Sequence, residues 1–243
     1  MQLSTARGAT PLYMQIKDLI VSRISGGQWS PGNIIPSEMQ LAQELGVSQG
    51  TVRKAISELV EKNVLTRKQG LGTFVAYHDS RRALFHFFHV VDNKGHKVLP
   101  DSTTLSCRRK RASRLESTNL RLASGASVIH IERVRKFDGR PTMLETITLP
   151  SEPFAELGKL GTCDLPNMLY ELYEKRFGIT VHSAEEQLRA VAASSHDSSL
   201  LEVPEGAPLL EIERVALTLD KTPIELRVSR CKTDEHYYQN TIF

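Results

Sequence analysis

The chain has 243 residues, is 40% hydrophobic and 24% charged, and carries a net charge of +3. That length suits two cores of ordinary soluble composition, and no apolar run reaches the ~18 residues a spanning helix needs. Cys107, Cys163 and Cys231 have neither disulfide-framework nor metal-ligand spacing. Residues 1–13 lack the charged start and apolar centre of a signal peptide. A cytoplasmic protein without metal, cofactor or membrane contact is expected.

The charge is uneven. Residues 1–77 hold eight Lys/Arg and five Asp/Glu, so the whole excess sits there, as a polyanionic partner would favour. Thr10-Pro11 reads as a helix start, a capping residue followed by proline at the first helical position. Leu12, Ile16, Leu19, Ile20 and Ile24 follow at helical spacing up to Gly26-Gly27. Ser37-Glu38-Met39-Gln40 fits a capping box before Leu41, Ala42 and Leu45, and Gly46 stops that helix. Ser48 caps the next helix, whose apolar face is Val52, Ala55, Ile56, Leu59 and Val60, and Asn63 ends it. Two helices joined by a three-residue turn containing Gly form a helix-turn-helix. Val64-Leu65-Thr66 and Thr73-Phe74-Val75 then flank a basic, Gly-rich tip, Arg67 to Gly72.

The second helix opens on Ser48-Gln49-Gly50-Thr51, which is small, polar and uncharged. A helix end that meets DNA has reason to look so. Its free N–H groups and dipole favour phosphate, and bulk would hold the backbone away. Ser48 and Thr51 can donate to phosphates, Gly50 permits close approach, and Gln49 can pair bidentately with adenine. Arg53 adds a charged contact one turn on. Gly70 and Gly72 let the hairpin tip enter a minor groove, with Arg67, Lys68 and Gln69 as donors. The same helix pair also occurs in purely structural bundles.

Residues 10–76 resemble the winged helix-turn-helix of the GntR family of bacterial transcription factors. The likeness rests on Pro11-Leu12-Tyr13, Ile16, Gly26-Gly27, Pro31-Gly32, Ile35-Pro36-Ser37-Glu38, Leu41-Ala42, Gly46-Val47-Ser48, Thr51-Val52-Arg53 and the stretch from Gly70 to Val75. It implies that Ser37, Met39 and Gln49 belong to the reading surface. The family often has a basic or polar residue in place of Met39 and Arg in place of Gln49. Gln49 shifts the preference from guanine toward adenine, so an altered operator is expected.

The expected division is a DNA-binding domain over 8–76, a polar linker over 77–85 and a second domain over 86–240. The second domain repeats itself. Gly125-Ala126-Ser127-Val128-Ile129-His130-Ile131-Glu132-Arg133-Val134 recurs 81 positions later as Gly206-Ala207-Pro208-Leu209-Leu210-Glu211-Ile212-Glu213-Arg214-Val215, and Ala112-Ser113 as Ala193-Ser194. Each copy reads as short helix, turn, long strand, turn, strand. The two copies are expected to be related by a pseudo-twofold within one antiparallel sheet. Leu165, Leu169, Leu172 and Tyr173 form a helical stripe closed by Gly178. The fold class is therefore α+β, a winged helix-turn-helix followed by an antiparallel sheet with helices.

Arg133 and Arg135 stand two apart on a strand and share a face. Two guanidiniums so placed suit phosphate or carboxylate, although solvated sheet positions would read the same. A two-residue hairpin loop at Asp138-Gly139 pairs Arg133 with Leu144. A three-residue loop ending at Arg140 pairs it with Glu145, which is the expected arrangement. Residues 86–238 resemble the UTRA effector-binding domain of the HutC branch of GntR regulators, whose fold is similar to chorismate lyase. The resemblance implies ligand contacts from Arg133, Arg135, Glu145 and Glu225. Cys231 stands where an aromatic is usual, and Asp234 keeps the usual Asp. His89 joins the expected pocket; His86, His89 and His96 as a metal site, and Arg108 to Arg111 as a second nucleic-acid patch, are weaker readings than packing and solvation.

The expected function is a transcriptional regulator, acting chiefly as a repressor. A homodimer would read a pseudo-palindromic DNA operator under control of a small anionic metabolite. The alternative is a lyase-like enzyme domain fused to a DNA-binding head, which would need Glu145 or His89 as general acid or base.

Overall fold

The computed structural model describes residues 10–76, 87–97, 99–157 and 165–241, arranged as two units over 1–78 and 79–243. The expected linker over 77–85, together with His86 and Cys163, lies outside the described residues.

In the first unit α1 (Leu12–Ser25), α2 (Glu38–Leu45) and α3 (Gln49–Glu61) precede a hairpin of β1 (Leu65–Lys68) and β2 (Gly72–Val75). Ile16 and Ile20 of α1 are buried with Leu41, Val52, Ala55, Ile56 and Leu59. Ser37 accepts a hydrogen bond from the Gln40 amide while the Gln40 side chain accepts from the Ser37 amide, so the capping box forms. Gly46 takes the left-handed conformation at φ 64° and turns the chain into α3. The start of α1 falls one residue later than expected. Pro11, not Thr10, is the capping residue, because its ψ of 139° is extended. The Thr10 carbonyl instead accepts from Gln15 Nε2 at 2.6 Å.

The second unit comprises β3 (Val90–Asp92), β4 (Asp101–Arg111), α4 (Arg114–Asn119), β5 (Ser127–Phe137), β6 (Arg140–Pro150), α5 (Leu169–Phe177), β7 (Ser183–Ala192), α6 (Ser195–Leu201), β8 (Pro208–Leu217), β9 (Pro223–Cys231) and β10 (His236–Tyr238). Six strands make one antiparallel sheet in the order β4-β5-β6-β9-β8-β7, and β3 pairs with β10 as a separate ribbon. The repeat is thus longer than its letters show. Each half is strand, short helix, long strand, strand, and the halves meet where β6 pairs β9. One face of the sheet carries Ile129, Ile131, Ile147 and Leu149 against Leu169 and Tyr173 of α5. The opposite face packs Val134, Leu144 and Leu209 against Ala193 and Leu201 beside α6.

Each short helix is anchored by a repeated device. Ser113 and Glu116 form a capping box in α4, and Ser194 and Asp197 form one in α6, again 81 positions apart. Both carboxylates are buried and also reach the sheet. Thr148 donates to Glu116 at 2.9 Å, and Arg230, its counterpart in the second half, donates to Asp197 at 3.0 Å. Lys110 completes the first site at 2.7 Å.

Burial pushes the Glu116 carboxyl up, but hydrogen bonds from Lys110, Ser113 and Thr148 outweigh it and bring its pKa down to about 2. A depressed carboxyl contributes stability above its unfolded value and loses it as pH falls through the folded one. Urea midpoints measured against pH should therefore fall between about 4.5 and about 2. Glu116→Gln should be less stable at pH 7 and show a flatter profile in that interval.

Candidate DNA-reading surface and anion cleft

The first turn of α3 is open. Ser48, Gln49 and Gly50 are exposed, and Thr51 is half-buried. Ser48 Oγ accepts from the Thr51 amide at 3.2 Å and shares a hydrogen bond with Thr51 Oγ1 at 2.8 Å. Between the two hydroxyls one proton is committed and the other is free for a phosphate. A Cβ built on Gly50 would meet nothing closer than Ser48 Oγ at 3.8 Å. The fold itself therefore does not require glycine there.

Ser37 and Met39 are exposed at the start of α2, Met39 to 69%. The hairpin is tighter than its letters suggest. Arg67 and Lys68 lie on β1, Lys68 pairs with Gly72, and only Gln69, Gly70 and Leu71 form the tip. Gly70 takes φ 73° and Gly72 φ 118°, both in the left-handed region that favours glycine. Lys68 Nζ rests 4.6 Å from the Phe74 ring centre.

Sequence reasoning overlooks Glu38. Its carboxylate accepts from Arg53 Nε at 2.8 Å and from Arg67 Nη2 at 2.9 Å, tying α3 and β1 to the start of α2. Arg67 also donates to Ser57 Oγ at 3.1 Å. The two arginines stay exposed, yet one carboxylate fixes where both point. Spacing along the chain cannot show this, because the three residues come from three elements.

In the second unit, Arg133 and Arg135 are not solvated: they are 2% and 3% exposed. Arg133 does pair with Glu145 across β5 and β6, but not through the three-residue loop. The loop is the two-residue Asp138-Gly139, with φ 49° and 77°, and Phe137 pairs with Arg140. A bulge next to Arg135 leaves Thr142 unpaired and shifts the register by one, which brings Glu145 opposite Arg133. The second half repeats the bulge at Ile224, so Ala216 faces Glu225.

On this face a row of opposite charges crosses five strands, from β5 to β7. Arg133 Nε donates to Glu145 at 2.5 Å. Arg227 donates through Nε and Nη2 to the two oxygens of Glu225, each at 2.9 Å, and through Nη1 to Glu145 at 3.2 Å. Arg214 Nε donates to Glu186 at 2.6 Å, and its Nη2 to the Phe87 carbonyl. Tyr170 and Tyr173 of α5 donate to Glu225 at 3.0 and 2.8 Å. Burial alone would raise the Glu145 carboxyl; Arg133, Arg227 and Arg135 hold it well below the usual carboxylate range. Burial, with Glu225 beside it, pushes the Tyr170 hydroxyl up to about 12.

Arg135 is the exception in this row. Its Nη1 lies 3.6 Å from Glu145 and its Nη2 3.4 Å from the Pro100 carbonyl. Its Nε, buried, has no acceptor among the described residues. Burial lowers its pKa to about 10, and Arg133 and Arg227 push the same way against the pull of Glu145.

A cleft of about 40 Å³, open to solvent, is lined by Arg133, Arg135, Arg214 and Arg227 beside Phe87, Phe88, Leu99, Asn167 and Tyr170. Neither Glu145 nor Glu225 lines it, since both lie beneath the arginines. His89 does not line it either. Its ring packs 5.2 Å from Tyr238, burial pushes its imidazole pKa down, and it belongs to no strand. Cys231, at the position where the family resemblance implies a pocket aromatic, is buried with Met143 and Ile212 under the β3–β10 ribbon. His96 is exposed and hydrogen-bonded to Asp92. Arg214 and Arg227 are absent from the expected ligand set, although the repeat points to them. They stand 81 positions after Arg133 and 82 after Glu145.

Comparison with known proteins assigns each unit to a family. Residues 95–237 match the UTRA domain family, and residues 12–75 match the gntR family of bacterial regulatory proteins. The HTH-type transcriptional repressor NagR of Bacillus subtilis is 28% identical over 229 residues, covering 94% of this chain and 93% of its own. The histidine utilization repressor of Pseudomonas putida is 30% identical over 211 residues, 85% of this chain and 82% of its own. The ligand-binding domain of a GntR-family transcriptional regulator from Bordetella bronchiseptica superposes with a TM-score of 0.60 at 34% identity, covering 65% of this chain and 98% of that one.

Gly50→Ala separates fold from recognition. It should stabilise the first unit by up to about 1 kcal/mol, the difference in helix propensity, when measured by urea denaturation. The same variant should bind duplex DNA more weakly in a fluorescence anisotropy titration. Stability and affinity falling together would mean that the glycine serves packing.

Proposed function

The chain belongs to the GntR family of bacterial transcriptional regulators with a UTRA effector domain, and from that membership we propose how its two surfaces work together. Two copies of the chain read a pseudo-palindromic operator, each through the first turn of α3, Ser37 and Met39 of α2, and the β1–β2 hairpin. Gln49 faces base edges; Ser48, Thr51, Arg53, Arg67, Lys68 and Gln69 face the phosphates, and Gly50, Gly70 and Gly72 let the backbone approach. A small anionic metabolite occupies the cleft over Arg133 and Arg135 and lowers operator affinity, so that repression is released. The setting is the bacterial cytoplasm.

One observation carries the effector half of this reading. Arg135 is a buried guanidinium whose neighbours satisfy it only in part. An unmatched buried charge is costly, and an arriving anion removes that cost. Glu145 supports the site from below by fixing Arg133, and Glu225 does so through Arg227. His89 packs on Tyr238, outside the cleft lining, and takes no part in holding the ligand. The relatives are regulators, so the lyase-like alternative falls away.

An effector shifts operator affinity only by its different affinity for the two states of the protein, typically ~1–3 kcal/mol. The test uses the full chain and a duplex from the region upstream of its own gene. Arg53→Ala should weaken binding. If the side chain neutralises a phosphate, the slope of log affinity against log salt should also become shallower by about one. Arg135→Ala should leave operator binding intact and abolish its response to small anions. A response that survives in Arg135→Ala would place the effector elsewhere.

A further inference from the structure

The cleft offers a ligand many donors and few acceptors, and this narrows what can bind. A carboxylate has about four acceptor positions on its two oxygens. Glu225 has all four filled: Oε1 takes Tyr170 and Arg227 Nε, and Oε2 takes Tyr173 and Arg227 Nη2. Glu186 takes Arg214 on one oxygen and Tyr238 on the other. Glu145 lies 2% exposed among three guanidiniums and does not reach the cleft surface. Asn167 Oδ1 already accepts from Ser102. A ligand hydroxyl can accept from this wall, but its own proton finds few acceptors there, and a buried donor left unpaired is costly.

Charge narrows it further. Four arginines line the cleft against three carboxylates: Arg133 pairs with Glu145, Arg214 with Glu186, and Arg227 with Glu225. Arg135 shares Glu145 with Arg133 and reaches it only at 3.6 Å, so one positive charge is in excess. One unmatched cation balances one negative charge, whereas a phosphate ester carries about −1.5 to −2 near neutrality. The rest of the wall is flat and apolar. The Arg135 guanidinium lies 5.8 Å from the Phe88 ring centre, Arg227 lies 5.2 Å from that of Tyr170, and Phe87 meets Tyr170 edge-on at 5.3 Å.

Resting on the effector site proposed above, we infer that the cleft selects a flat, hydroxyl-poor monocarboxylate, aromatic or conjugated, and rejects sugar phosphates. The carboxylate takes the two-pronged edge of Arg135, and the planar body lies along Phe88 and Tyr170. Arg227 sets this preference by occupying the acceptors of Glu225 and of Glu145.

Isothermal titration of the full chain with trans-cinnamate, benzoate, glucose 6-phosphate and inorganic phosphate tests the inference. The monocarboxylates should bind roughly tenfold or more tightly than either phosphate, a gap of the size one charge-assisted hydrogen bond supplies. Arg135→Met, verified as folded by its retained DNA binding, should lose them. Arg135→Lys should retain part of the affinity, because it keeps the charge without the fork. Glucose 6-phosphate binding more tightly, and lost in Arg135→Met, would overturn the ligand class while leaving the site in place. Cinnamate binding unchanged in Arg135→Met would overturn the site itself. Failure of both carboxylates to bind would also overturn the class.

Discussion

One extra residue in β6 decides the chemistry of the second unit. With Asp138-Gly139 as a two-residue loop and no bulge, Arg133 would stand opposite Leu144, and Glu145 would point to the other face. Thr142 bulges out, the register moves by one, and Glu145 arrives beneath Arg133. Everything on that face follows. Arg227 can then bridge Glu145 and Glu225, and the tyrosines of α5 can close on Glu225 from above. The second half carries its own bulge at Ile224 and brings Glu225 to the same face by the same means.

The two units depend on carboxylates in similar ways. Glu38 aligns Arg53 and Arg67; Glu145 and Glu225 align Arg133 and Arg227. In both places an acid fixes the direction of the arginines around it. The difference lies in exposure. The Glu38 pairs are open to water, where such contacts contribute little to stability and mainly set geometry. The pairs around Glu145 are buried, where losing one partner leaves a charge without compensation.

Some signals are legible in the sequence because they are local. The capping boxes, the left-handed glycines at helix ends and the period of the apolar residues all act within a few positions. The 81-residue repeat also foretells the symmetric strand order. The bulge at Thr142 is not legible, since no residue type marks it and either loop fits the letters. The pairing of Arg133 with Glu145 is therefore expected correctly but for the wrong reason. Arg227 and Arg214 do not stand out against the family pattern; the repeat, which makes them the equivalents of Glu145 and Arg133, is the signal that finds them. Glu38 and Glu186 act between elements distant in the chain, where periodicity says nothing. Cys231 has the position of a pocket wall in the family pattern, yet it packs beneath the β3–β10 ribbon.

The sheet is built from two halves, each with mostly short-range pairings, and among the described strands the halves pair where β6 lies against β9. Arg133 and Arg135 come from one half, Arg214 and Arg227 from the other, so the cleft exists only once that seam has closed. Contacts within each half close short loops, whereas the seam closes a long one. A molecule held in the cleft is therefore a brace across the joint between the halves. Ligand bound only by the joined halves stabilises the folded domain by mass action. The regulator that has met its metabolite is also the one that resists unfolding best.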